Sequence, residues 1–76
     1  MRILLSQSLT DTEKLYLRSA LNAKRERKVL LGTDVIDPTH VVIRNEGLIE
    51  TFKLLFPESK IVLLTTKGFK IKVEIV

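Results

Sequence analysis

The chain has 76 residues, no cysteine and a net charge of +4, with a sequence pI of about 9.7. This length predicts a single small domain spanning residues 1–76. The absence of cysteine excludes disulfides and thiolate metal sites, and it favours a reducing, cytoplasmic setting. The first apolar run, Ile3 to Leu5, is too short for a signal-peptide core or a membrane span, so we expect no membrane partner.

The amino-terminal segment predicts a strand followed by a helix. The continuous apolar run within Arg2–Ser6 is typical of a short buried strand, although the start of a helix is the alternative. Thr10 followed three residues later by Glu13 forms the pattern of a capping box. Ser8, followed three residues later by Asp11, offers a competing register for the same cap. The helix that follows is expected to run to about Arg27.

The middle of the chain predicts a second strand and a second helix. Residues 29–31 are compatible with two structures, a short strand or a helix end stopped by Gly32. Residues 39–44 are rich in β-branched side chains and predict a strand. Asn45 is a good cap for a helix over 46–56, whose apolar residues repeat with helical spacing.

The last part of the chain, from Lys60 to Val76, predicts a β-hairpin. Two β-rich runs, 60–66 and 69–76, are separated by Lys67 and Gly68, which suits a two-residue turn. This register sets Leu64 opposite Ile71 and places Phe69 on the core face.

The first hairpin strand is apolar on both sides, and this pattern has two interpretations. Either strand 60–66 lies in the centre of a sheet with strand 69–76 nearer its edge, or Ile61 and Leu63 form an apolar patch that binds a partner. The second strand alternates between apolar and charged residues. Its Lys70 and Lys72 discourage uncontrolled pairing at the sheet edge.

Together these elements predict an α+β fold of two layers in the order β-α-β-α-β-β. Two helices would pack on one face of a four-stranded mixed sheet that ends in the hairpin. This element order resembles that of Alba-type chromatin proteins and of the carboxy-terminal domain of a bacterial translation initiation factor. Both bind nucleic acid, so the resemblance implies the same kind of partner for this chain.

Clusters of cations provide a second indication of nucleic-acid binding. Side chains at these spacings can follow phosphates without reading bases, although a solvated helix end has the same composition. The aromatic residues are assigned to the core, which argues against base stacking. The candidate phosphate-binding residues are Lys14, Arg18, Lys24, Arg25, Arg27, Lys28, Lys70 and Lys72.

No catalytic constellation or cofactor motif is evident. His40, the only histidine, follows Asp34 and Asp37, but this spacing matches no metal site and Asp-Pro is itself a turn pattern. The glycines are isolated, so no phosphate-binding loop is predicted. We expect no cofactor and no metal, and a non-enzymatic role is favoured over a small ribonuclease that uses His40.

The sequence therefore favours a small DNA- or RNA-binding accessory protein that contacts the phosphate backbone and forms a homodimer. The alternative is a protein-interaction module, an adaptor or inhibitor that acts through Ile61 and Leu63 or through the free edge of the last strand. A small ribonuclease is the third hypothesis.

Overall fold

The computed structural model describes residues 1–21 and 29–76 of the chain. Within these ranges the chain forms five strands, two α-helices and one short 3₁₀ helix. The predicted α+β class, with a mixed sheet and a carboxy-terminal hairpin, is confirmed. The elements are β1 (Arg2–Leu5), α1 (Asp11–Ala20), β2 (Leu30–Gly32), β3 (His40–Ile43), the 3₁₀ helix (Glu46–Leu48), α2 (Ile49–Leu55), β4 (Lys60–Lys67) and β5 (Lys70–Ile75).

The five described strands form one sheet in the order β2-β1-β3-β4-β5. All neighbouring pairs are parallel except β4 and β5, which are antiparallel. The sheet has five strands rather than four because Leu30–Gly32 pairs with β1, so the strand interpretation of this segment is confirmed. The element order is therefore β-α-β-β-α-β-β, which departs from the order on which the resemblance rested.

The two helices cover opposite faces of the sheet, which we name the α1 face and the α2 face. Leu17 of α1 packs on the first face, and Ile49 and Phe52 of α2 pack on the second. The predicted arrangement, with both helices on one face, is corrected by this packing. The buried strand residues divide between the faces, with Ile3, Leu5, Val42, Val62 and Leu64 on the α1 face and Val41, Ile43, Ile61 and Leu63 on the α2 face.

The strand order explains this division. The connection from β1 through α1 to β2 steps toward one edge of the sheet, whereas the connection from β3 through α2 to β4 steps toward the other. Connections between parallel strands are right-handed in nearly all proteins. Two such connections that step in opposite directions must place their helices on opposite faces.

The predicted start of α1 is confirmed in atomic detail. The hydroxyl of Thr10 accepts a hydrogen bond from the backbone N–H of Glu13, and the Glu13 carboxylate accepts one from the N–H of Thr10. Thr10 rather than Ser8 is therefore the cap. The predicted continuation to Arg27 falls on residues 22–28, which lie outside the described residues.

The second helical segment begins at the predicted cap and contains a change of geometry. The side chain of Asn45 accepts a hydrogen bond from the N–H of Gly47. The first turn is a 3₁₀ helix, and α2 follows as far as Leu55, just before Pro57. Neither α1 nor α2 has the length and apolar character that a membrane-crossing helix requires.

The hairpin turns one residue later than predicted, at Gly68 and Phe69. Leu64 lies opposite Val73 rather than opposite Ile71. Gly68 has a φ of 59°, whereas Phe69 keeps a negative φ. Positive φ at only the first central position, with glycine there, is the pattern of a type II′ turn. The prediction that Phe69 lies on the core face is therefore wrong, and its side chain is fully exposed.

Candidate interaction surface

The outer edge of β5 carries backbone groups that point away from the sheet. The N–H of Val76 donates to the carbonyl of Ile61, and the N–H of Lys60 donates to the carbonyl of Thr39 on the β3 side. Since hydrogen-bonding direction alternates along an antiparallel strand, the even-numbered residues of β5 bond to β4. Within the described part of the chain, no strand pairs with the other side of β5. The outward N–H and C=O groups belong to Ile71, Val73 and Ile75.

Apolar side chains lie beside this edge on the α1 face. Ile75 is 58% exposed, and Phe69 is fully exposed at the tip of the hairpin. Tyr16 of α1 is 49% exposed and lines a surface cavity together with Phe69, Ile71 and the charged residues of the α2 face of β5. An edge strand with unpaired backbone and apolar flanking residues has the features that favour pairing with another chain.

The α2 face of β5 is charged. Lys70, Lys72 and Glu74 alternate with the apolar residues and therefore share this face. The Lys72 ammonium forms an ion pair with the carboxylate of Glu74. The hydrogen bond from Lys72 to Glu74, together with the negative charge of that carboxylate, raises the pKa of Lys72. Part of the positive charge predicted for this surface is thus offset by an acid on the same strand.

The two groups of predicted cations do not form one surface in the described structure. Tyr16 marks the side of α1 that faces β5. Lys14 and Arg18 lie about 160–200° from Tyr16 around the helix axis, so they share a stripe on the far side. Lys70 and Lys72 lie on the opposite face of the sheet from α1. Lys14 and Arg18, the described members of the predicted helix stripe, therefore share one side of α1. The hairpin lysines are separated from them by the sheet.

Most of the net charge lies in residues 22–28. This segment contains four of the predicted cations and one acid, Glu26, and thus has a net charge of +3 out of the total of +4. The remaining residues hold nine Lys and Arg against eight Asp and Glu. The predicted cations Lys24, Arg25, Arg27 and Lys28 all lie outside the described residues.

Ile61 and Leu63 lie in the core of the α2 face. Their exposed fractions are 1% and 5%, and they pack with Phe52 of α2 and with Val76. The interpretation of β4 as a central strand is thus confirmed. An exposed patch at these two residues is excluded, because both side chains are buried. The protein-interaction hypothesis therefore depends on the edge of β5.

One buried polar cluster was not predicted from the sequence. Glu13 is only 4% exposed, and its carboxylate accepts a hydrogen bond from the hydroxyl of Thr66 at 2.7 Å. It also pairs with the Arg44 guanidinium at 3.0 Å. The bonds from Thr10 and Thr66, assisted by the charge of Arg44, lower the pKa of Glu13 against the opposing effect of burial. The cluster ties the start of α1 to the ends of β3 and β4.

The predicted ribonuclease residue lies at the other end of the sheet. His40 is the first residue of β3, and its Nδ1 is 2.9 Å from the hydroxyl of Thr39. Asp37 takes a positive φ of 50° in the loop before it, which suits the predicted turn. In residues 1–21 and 29–76, no three His, Cys, Asp or Glu side chains converge on a metal position. The ribonuclease hypothesis stays a prediction.

The alternating pattern of β5 and its position near a sheet edge were both predicted from the sequence, and the strand order confirms the edge position. Comparisons of the chain with protein-family models, with curated proteins and with solved structures found no match.

Proposed function

We propose that the chain is a protein-interaction module that binds an extended segment of another polypeptide along the free edge of β5. The observation that carries this proposal is the set of outward N–H and C=O groups on Ile71, Val73 and Ile75. Recognition by strand addition takes its affinity from such main-chain bonds and its specificity from alternate side chains. We infer a cytoplasmic location from the absence of cysteine.

The flanking side chains support the same proposal. An added strand would cover Ile75 on the α1 face, and its apolar side chains would extend toward Tyr16 and Phe69. These exposed residues give the partner an apolar contact beside the main-chain bonds. On the other face, Lys70 and Lys72 would favour acidic residues in the partner.

A random-peptide display library, panned against the monomeric protein, tests this proposal. We expect enriched peptides that alternate apolar with polar residues and bind as strands. Ile75→Pro should abolish their binding, because it removes an outward N–H while the exposed Ile75 side chain contributes little to the core. Binding that is unchanged in Ile75→Pro, or a library that yields no binders, would contradict the proposal.

The neighbouring position provides a matched control for the proline substitution. The N–H of Glu74 points inward and bonds to β4, opposite Leu63. Glu74→Pro should therefore lower the free energy of unfolding by about 1–3 kcal/mol, because it removes a ladder hydrogen bond, whereas Ile75→Pro should leave thermal unfolding nearly unchanged. Equal destabilisation by both prolines would show that the assigned direction of the backbone bonds is incorrect.

We propose nucleic-acid backbone binding as a second candidate function, supported by the concentration of charge in residues 22–28. Four cations lie within the five residues from Lys24 to Lys28, and Lys14 and Arg18 of α1 are two further candidates. Such binding weakens steeply as the salt concentration rises, because it depends on counterion release.

The second candidate is tested by titrating labelled duplex DNA and duplex RNA at several salt concentrations. Exchange of Arg18 and Arg25 for Glu should abolish binding, and the same exchange at Lys70 and Lys72 should have a smaller effect. If the wild-type chain binds neither duplex at low salt, this function is excluded.

A further inference from the structure

We propose that the partner of the β5 edge is a second copy of this chain, paired antiparallel with β5 about a twofold axis at Val73. The inference rests on the proposed function and names its partner. It follows from the order of charges along β5 and from the direction of its backbone groups.

The backbone groups match in this register. Ile71, Val73 and Ile75 all point their N–H and C=O outward, so Val73 can pair with Val73 of the second copy. Ile71 of each copy then lies opposite Ile75 of the other. Every outward group on these three residues obtains a partner. A shift by one residue would set outward groups against inward groups and would lose these bonds.

The side chains match in the same register. On the α2 face, Lys72 lies opposite Glu74 of the second copy, and the pairing occurs twice because of the twofold axis. Each chain already has an ion pair between Lys72 and Glu74. With the two pairs between chains, the four side chains form a ring in which positive and negative charges alternate. On the α1 face, the exposed Ile75 packs against Ile71 of the second copy. Opposite charges and apolar pairs placed directly across strands both stabilise a sheet.

Neighbouring registers are disfavoured by charge. A shift of two residues in one direction sets Lys72 opposite Lys72 of the second copy, and this like-charge pair opposes the two Lys70–Glu74 pairs of that register. The same shift in the other direction sets Glu74 opposite Glu74. Like charges directly opposite each other destabilise a pair of strands. The charge order that discourages uncontrolled edge pairing thus favours the register centred on Val73, which contains opposite-charge pairs and no like-charge pair.

This pairing closes on itself. A twofold axis perpendicular to the sheet uses each β5 edge once and leaves both α1 helices on the same face of a continuous sheet. The contact is the same patch on both copies, so it ends at a dimer rather than at a fibre. The other described edge, β2, has only three residues and does not take part.

Analytical ultracentrifugation with charge exchanges provides the main test. The wild-type chain should be in a concentration-dependent equilibrium between monomer and dimer. Lys72→Glu and Glu74→Lys should each weaken self-association about tenfold or more, since each creates two like-charge pairs. An equimolar mixture of the two variants should recover association, because each strand then opposes its complement. Neither variant keeps the ion pair within the chain, so recovery reports only on pairing between chains.

A cysteine introduced at the axis tests the register. The chain has no cysteine of its own. Directly opposite residues in a hydrogen-bonded pair have Cα atoms about 5.5 Å apart, which lies within disulfide range. Val73→Cys should therefore yield a covalent dimer on oxidation. Ile75→Cys, at a more exposed position of the same strand, should not form this disulfide. In the proposed register its thiol lies far from the thiol at position 75 of the second copy.

A chain that remains monomeric up to about millimolar concentration, well above the range of specific complexes, overturns the proposal. Mixed charge variants that fail to associate also overturn it, as does assembly beyond a dimer. If the monomeric chain still binds displayed peptides in a manner that depends on the N–H of Ile75, only self-pairing has failed. If neither association occurs, the proposed function fails as well.

Discussion

Replacement of Glu13 by Ala should destabilise the protein more than any other change to a charged residue in the described part of the chain. Glu13 is 4% exposed, and it accepts hydrogen bonds from the N–H of Thr10 and the hydroxyl of Thr66. It also neutralises Arg44 at 3.0 Å. Loss of the carboxylate removes half of the capping box and leaves the guanidinium without its counter-ion.

The size of the effect follows from these contacts. A capping interaction contributes about 1 kcal/mol, and a hydrogen bond to a charged group about 1.5–3 kcal/mol. The Arg44 side chain is 32% exposed, so water replaces part of the lost ion pair. We expect Glu13→Ala to lower the free energy of unfolding by about 3 kcal/mol. For a domain of this size the melting temperature would fall by roughly 15 °C.

Urea unfolding followed by circular dichroism measures this change. Glu13→Gln retains an acceptor oxygen but not the charge. It should lower the free energy of unfolding by about half as much as Glu13→Ala. Glu50 is an exposed carboxylate in the first turn of α2, so Glu50→Ala is the matched control and should have an effect below about 0.5 kcal/mol. If Glu13→Ala and Glu50→Ala have similar effects, the cluster at Glu13 does not stabilise the fold.

Lowering the pH should remove the stability that the Glu13 carboxylate contributes. The hydrogen bond from Thr10 and the contacts with Thr66 and Arg44 lower the pKa of Glu13 below its ordinary value of 4.5. A lowered pKa in the folded state stabilises the protein above pH 4.5, and this contribution is lost as the pH falls from 4.5 through the folded-state pKa. Glu13→Gln should lose less stability than the wild type over that interval. Parallel pH dependences for the two proteins would exclude this linkage.

Other substitutions test single features of the fold. Gly68→Ala should lower the free energy of unfolding by about 1 kcal/mol, because Gly68 has a positive φ. Gly32 has no positive φ, so Gly32→Ala should lower it by less. Urea unfolding compares the two variants. Leu63→Asp should unfold the chain and Leu54→Asp should not, as judged by circular dichroism, because their exposed fractions are 5% and 83%. The hydroxyl of Ser6 is buried without a hydrogen bond, so Ser6→Ala should leave the melting temperature unchanged or raise it.

Local patterns in the sequence predicted local structure correctly. The capping box at Thr10 and the Asn45 cap each depend on residues a few positions apart, and both form as predicted. The placement of the helices depended on the order of strands across the sheet. That order is set by contacts between distant parts of the chain, such as the pairing of β1 with both β2 and β3. The pattern of a single segment does not contain this information.

The turn position was available in the sequence, although it was assigned one residue too early. A two-residue turn at Lys67 and Gly68 is most favourable as type I′, which needs positive φ at both positions. Lysine takes positive φ only at a cost. A turn at Gly68 and Phe69 as type II′ needs positive φ only at the glycine, and this is the turn observed. The preference of Phe69 for a buried position is overridden by this backbone constraint.

The candidate site was predicted only in part, for a related physical reason. Charge patterns identify the cations but not the acids that come to lie beside them, such as Glu74 next to Lys72. Likewise, Glu13 was recognised as a cap, while its contacts with Arg44 and Thr66 depend on tertiary structure. Opposite charges that are distant in the chain can be matched only when the fold is known.

The one-residue change of turn does not alter the face on which each β5 side chain lies. Moving the turn by one position shifts the pairing of β5 by two residues, so each side chain stays on the face predicted for it. Hydrogen-bonding direction has the same period of two along a strand. Ile71, Val73 and Ile75 therefore turn their side chains to the α1 face and their backbone groups outward together. A variant that lengthens the turn by one residue should instead reverse the faces of β5 and bury Lys72. It should consequently lose the hairpin rather than form a new edge.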